Sequence, residues 1–293
     1  MELLPTIIER LSPGAHVDGV RTLTGGVSSS VVAVDFTRAD GVRERVVVRR
    51  RGDHAWKPDT PGGIAREHAL LGRLHALGLP VPRPRLLDPC GALVLDFVDG
   101  DPGPPAGLVE GPAEAQAWPM AELLAAIHGA PIDGLPALPR RDDPRPELLA
   151  WLPAAPGLAA ALRRAGEPRG PATLLHGDFW PGNLLWRDGA IVAALDWEDA
   201  AVGDPLSDLA CARVEIECAA GEAVARAFAD RYRLRSGADL SRLPVWDLYV
   251  STAALASMDA WGLPAEVLAA RRRVTAAFQG RAWRALGLEG SLV

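Results

Sequence analysis

The chain has 293 residues, 48% of them hydrophobic, and a formal net charge of −6 at pH 7. That length and apolar content can form one large domain or two lobes, and the acidic balance argues against nucleic acid as the main partner. No segment approaches the roughly 18 uninterrupted apolar residues of a membrane span.

The start, MELLPTIIERL, has Glu2 and Pro5 where a secretory signal carries basic residues and an apolar run, so a cytoplasmic protein is expected. Val20–Leu23 and Val31–Phe36 read as strands flanking Thr24-Gly25-Gly26-Val27-Ser28-Ser29-Ser30. That loop offers backbone N–H groups and hydroxyls, the donors a phosphate takes. The turn Asp40-Gly41 leads to a third strand, Arg45–Arg50, in which side chains alternate between faces, so Arg49 and Arg50 point oppositely. Thr60-Pro61 reads as N-cap and first residue of a helix carrying Ile64, Leu70, Leu71, Leu74 and Leu77, with Glu67 inside it and Gly78 at its C′ position. Ala92–Val98 is a strand. The Pro/Gly-rich Asp101–Pro112 leads to a region read as helical, with helices over Trp118–His128, Glu147–Leu152 and Leu158–Ala165. Cys90, Cys211 and Cys218 are odd in number and form no disulfide framework, and the six histidines show no metal spacing.

The most informative stretch is Leu174–Trp197, LLHGDFWPGNLLWRDGAIVAALDW. Leu184–Trp186 and Ile191–Trp197 read as two strands joined through Asp188-Gly189, a strong hairpin signal. Folding that hairpin brings Asn183 towards Asp196, thirteen residues on, so that the two can share a metal. Phosphoryl transfer needs a carboxylate to accept or orient the acceptor's hydroxyl proton, and oxygen ligands for the Mg²⁺ on the nucleotide phosphates. Asp178 fits the first requirement; Asn183 and Asp196 fit the second. His176 reads as a brace of the loop rather than a reacting group.

His176-Gly177-Asp178, Pro181, Asn183, Leu195-Asp196-Trp197-Glu198 and Gly203-Asp204-Pro205-Leu206-Ser207-Asp208-Leu209-Ala210 follow one another in the order of a known pattern. In these motifs the chain resembles the aminoglycoside phosphotransferase and choline kinase family. The resemblance implies an α+β, two-lobed, protein-kinase-like fold: residues 1–98 as a small antiparallel-sheet lobe with one helix, ending in the hinge, and residues 99–293 as a larger, mainly helical lobe with the catalytic loop and acceptor pocket. It implies ATP and Mg²⁺ as cofactors, with Gly25, Gly26, Ser28, Ser29 and Ser30 at the phosphates. Arg49 stands where the family carries its phosphate-holding cation, and Glu67 is its partner on the helix. At the hinge, the carbonyl of Asp96 and the N–H of Val98 face adenine. Asp208 supports the catalytic loop.

Seven residues separate Asp196 from Asp204, with no room for the activation loop of a protein kinase. The expected reaction is therefore transfer of the γ-phosphate to a hydroxyl of a small molecule: aminoglycoside-like, choline-like, or another amino-alcohol or sugar. Trp180, Glu198, Asp199 and Glu215 are the acceptor-side candidates, and their charge favours a cationic acceptor. The alternative is a nucleotide-binding pseudokinase acting as an interaction protein; the presence of all three base and metal positions weighs against it.

Overall fold

Alternating burial along the third strand organises the N-terminal region. In the computed structural model, which describes residues 3–23, 29–51, 63–103, 112–167 and 170–289, this region is a five-stranded antiparallel sheet. Its strands are β1 (His16–Thr22), β2 (Ser29–Thr37), β3 (Arg43–Arg51), β4 (Pro84–Asp88) and β5 (Ala92–Asp96), in the order β1-β2-β3-β5-β4. Val46 and Val48 of β3, with Val34 and Phe36 of β2 and Ala92 and Val94 of β5, form one apolar face. A helix that the sequence reading missed, α1 (Leu4–Leu11), covers this face with Leu4, Ile7 and Ile8. Burying each such side chain contributes about 1.5–3 kcal/mol. Because the face alternates, Arg49 projects to the opposite side, where α2 (Gly63–Ala76) carries Glu67. The proposed N-cap pair Thr60-Pro61 lies outside the described residues, as do Gly25, Gly26 and Ser28.

The chain divides into two units, residues 1–100 with 134–137 and 192–198, and residues 101–133 with 138–191 and 199–293. The second is the larger and mainly helical. Its helices are α3 (Ala113–His128), α4 (Arg145–Trp151), α5 (Leu158–Ala165), α6 (Leu206–Ala220), α7 (Glu222–Ser236), α8 (Leu243–Ser257) and α9 (Ala265–Ala285). Leu148, Leu158, Leu162, Val245, Leu248 and Trp283 close one of its cores. The architecture is α+β, an antiparallel-sheet N-terminal region followed by a larger helical part. Among the described residues no helix is long and apolar enough to cross a membrane.

Two short sheets position the motif residues. Thr173–Leu175 pairs antiparallel with Ala201–Gly203, which pairs in parallel with Arg140–Arg141. Strand Leu184–Arg187 pairs with Asp101–Pro102 and turns at Asp188-Gly189 into Ala190–Ala194. Both turn residues have positive φ, 52° and 79°, as a two-residue hairpin of the type I′ class requires.

Candidate active site

The loop carrying the His-Gly-Asp motif begins where Thr173–Leu175 ends, and its backbone is fastened by buried groups. Asp208, fully buried on α6, accepts the His176 N–H at 2.6 Å through Oδ2 and the Gly177 N–H at 2.9 Å through Oδ1. Burial pushes the Asp208 carboxyl upwards, but His128, His176 and Arg141 outweigh it and hold it below the ordinary carboxylate value. Arg141 also donates to the Gly177 carbonyl at 3.0 Å. Gly177 has φ 89°, and a Cβ there would stand 1.9 Å from the Asp199 carbonyl oxygen, so the middle residue of the His-Gly-Asp motif admits no side chain.

His176 is buried, and its Nδ1 lies 3.3 Å from the Asp178 N–H, a bracing position. A single turn of 3₁₀ helix, Pro181–Asn183, carries the chain back so that Asn183 Nδ2 donates to the Asp178 carbonyl at 2.9 Å and to its Oδ2 at 3.0 Å. That pair of bonds fixes the rotamer of the carboxylate. It also leaves the amide oxygen of Asn183 as the remaining acceptor, the atom type a hard cation takes. The other carboxylate oxygen, Oδ1, stands 4.0 Å from Cys211 Sγ. Burial, then the Asp178 and Glu215 charges, push the Cys211 thiol well above its ordinary pKa, so it stays protonated beside the carboxylate.

The second group of motif residues surrounds Arg49. Its Nη1 donates to Glu67 Oε1, and its Nη2 donates to Asp196 Oδ1 at 3.0 Å and to Glu198 Oε2 at 2.6 Å. Burial disfavours the guanidinium charge, but the Glu67, Asp196 and Glu198 charges outweigh it and raise the pKa of Arg49. Glu67 is pushed up to about 7 by burial, Arg49 pulling it down and Asp196 and Glu198 adding to the rise. Even with Glu67 part-protonated near neutral pH, the acids around the single guanidinium leave a surplus of negative charge that suits a cation. Asp196 adopts φ 61°, a left-handed conformation that costs a non-glycine residue about 1–2 kcal/mol. The strand therefore stops at Ala194, short of the expected Trp197, and Trp197 Nε1 returns a bond to the Ala194 carbonyl at 3.1 Å. Among the described residues no three His, Cys, Asp or Glu side chains form a metal cluster on their own.

The remaining candidates are dispersed. Ser30 sits opposite Arg50 in the sheet, and Val31 opposite Arg49; Ser29 lies at the start of β2. Asp96 ends β5 opposite Val46, with its side chain on Arg85 at 2.8 Å, and Val98 follows, half-buried. The Trp180 indole lies over Gly182, where a Cβ would meet the ring at 2.2 Å. Glu215 receives both terminal nitrogens of Arg271, with Nη1 at 2.8 Å. Asp199 contributes its carbonyl beside Gly177. Sequence reasoning missed His128, whose Nε2 lies 3.2 Å from Asp208 Oδ2, and Tyr232, whose hydroxyl lies 2.7 Å from His128 Nδ1. Nothing local in the sequence indicates for Tyr232 a partner 104 residues away.

Residues 19–249 match the family model described as "Phosphotransferase enzyme family". The chain belongs to that family. As a phosphotransferase it is of the small-molecule kinase kind. It is 28% identical over 207 residues to an aminoglycoside 3'-phosphotransferase from Streptomyces fradiae, a match covering 60% of this chain and 73% of the relative. The apoenzyme of macrolide 2'-phosphotransferase MphH from Brachybacterium faecium is similar in structure, with TM-score 0.63 and 23% identity over 94% of this chain and 98% of the other. A choline kinase from Cryptosporidium parvum is similar with TM-score 0.59 and 14% identity, over 97% of this chain and 94% of the kinase. At these identities the structural likenesses establish the fold.

Proposed function

We propose that the enzyme transfers the γ-phosphate of ATP to a hydroxyl group of a small molecule, an aminoglycoside-like, choline-like or other amino-alcohol or sugar acceptor. The observation that carries this reading is the fastened catalytic loop: a carboxylate, Asp178, held by Asn183 on a backbone that Asp208 grips twice. Asp178 orients the acceptor hydroxyl and takes its proton as the oxygen–phosphorus bond to the acceptor forms and the bond from the γ-phosphorus to the bridging oxygen breaks, releasing ADP; an ionised carboxylate needs no large pKa shift for this. Arg49, kept charged and held in one plane by its three carboxylates, places a fixed positive charge beside the α/β-phosphates. Ser29, Ser30 and the preceding glycine loop cover the phosphates, and the Asp96–Val98 backbone meets the adenine. Asn183 and Asp196 would hold Mg²⁺, whose charge would offset that developing on the phosphoryl oxygens. In this reading residues 1–98 form the nucleotide lobe and residues 99–293 the acceptor lobe.

On the acceptor side, Trp180 supplies an aromatic face, and Asp199 and Glu215 supply acidity in a chain of net charge −6. Glu215 is already paired with Arg271, so its pull on an ammonium group is weaker than its sequence position alone implies. The test is ATP consumption with purified protein and Mg²⁺, against a panel of aminoglycosides, macrolides, choline-like amines and sugars, with mass spectrometry of the product. Acceptor-dependent turnover with a phosphorylated product supports the reading. Nucleotide binding without turnover on any acceptor favours the pseudokinase alternative.

A further inference from the structure

Glu198 stands next to the metal-site aspartate, and its sequence position marked it for the acceptor. Its side chain is engaged elsewhere. Glu198 Oε2 accepts from Arg49 Nη2 at 2.6 Å, shorter than the 3.0 Å bond from the same nitrogen to Asp196 Oδ1. The Arg49 side chain is 10% exposed and that of Glu198 20%, against 34% for Asp196. Trp197, between the two acids, is buried and bonded back to Ala194, which leaves its neighbours on either side to meet one nitrogen.

An arginine in this strand poses a problem that a lysine does not. An ammonium is a point charge that one carboxylate can hold, whereas a guanidinium is a flat fork whose two terminal nitrogens must both be held for the plane to be fixed. Glu67 holds Nη1. Nη2 faces Asp196, but in the proposed reading that carboxylate also serves a dication, and an oxygen that gives its charge to Mg²⁺ binds a guanidinium less well. Glu198 keeps Nη2 held in that state. Resting on the proposed phosphoryl-transfer function, we infer that Glu198 is a positioning residue of the nucleotide side, fixing the plane of Arg49 against the phosphates, and is not an anchor for the acceptor.

The test needs no acceptor. Calorimetric titration with Mg²⁺ and a non-hydrolysable ATP analogue is run on wild type, E198Q, R49Q and the double variant. Charge-assisted bonds of this kind correspond to about tenfold or more in affinity. E198Q is therefore expected to bind about tenfold more weakly, and the double variant within about twofold of R49Q, because Glu198 acts only through Arg49. A folding defect would lower the fraction of sites titrated rather than their affinity, so the two effects separate within one experiment. Wild-type affinity in E198Q, or losses in E198Q and R49Q that multiply in the double variant, overturns this inference and leaves the kinase reading intact. Failure of the wild-type protein to bind the analogue overturns both.

Discussion

Replacing Asp208 by asparagine probes the support of the proposed catalytic loop most cleanly, because size and shape are kept and only charge and one acceptor are lost. Asp208 Oδ1 and Oδ2 each accept a backbone N–H, from Gly177 at 2.9 Å and from His176 at 2.6 Å. In D208N one of those positions becomes an NH₂ group facing another donor, whichever way the amide is turned. One buried N–H is orphaned, at about 1–3 kcal/mol, and the surviving bond loses its charge assistance, at about 1 kcal/mol more. The expected loss of stability is about 2–4 kcal/mol by urea unfolding at pH 7. A displacement of Asp178 on the scale of an ångström should lower turnover by about a hundredfold. A change in stability below about 0.5 kcal/mol, the range of an ordinary surface substitution, with turnover intact, would refute the claim that this carboxylate holds the loop.

Two further outcomes follow from the same geometry. G177A places a Cβ 1.9 Å from the Asp199 carbonyl at φ 89°; a fall in stability of about 3 kcal/mol or more is expected by thermal unfolding, and a melting temperature equal to wild type would contradict the close approach. Glu67 and Asp247 have pKa values raised on folding, from 4.5 to about 7 and from 3.8 to about 6. Raised acids contribute stability that is complete below their ordinary values and lost as pH rises through the folded ones. Without nucleotide or metal the melting temperature should therefore decline between pH 5 and pH 8, and less steeply in E67Q; an equal slope in E67Q would show that Glu67 is not the group titrating.

What was legible in the sequence was what is local. Asp188-Gly189 specifies its own turn through two positive φ values, and Leu158–Ala165 is bounded by glycines at both caps. The helix after Asp204-Pro205 starts at Leu206, whose N–H bonds Asp204 Oδ1 at 3.0 Å, a cap encoded two residues away. Strand β4 was hidden by Pro80, Pro82 and Pro84; as an edge strand it tolerates a proline that a central one would not. Helix α1 has a local signal too, the apolar stripe of Leu4, Ile7 and Ile8 at i, i+3, i+4 spacing. The motif residues stand out in the sequence by type and order, but the partners they meet do not. Glu198 meets an arginine 149 positions away and Glu215 one 56 positions away, and no short-range pattern encodes either pairing.

Transfer of a phosphoryl group to a small molecule through Asp178 is the central claim, and D178N tests it most directly. Wild type and D178N are incubated with Mg²⁺, ATP and the acceptor that gives the highest turnover, and the phosphorylated acceptor is quantified by mass spectrometry alongside nucleotide affinity by calorimetry. The account predicts that D178N binds Mg·ATP as wild type does and forms product at least a hundredfold more slowly, since the base and the orienting group are lost together. Product formed at the wild-type rate by D178N would contradict it.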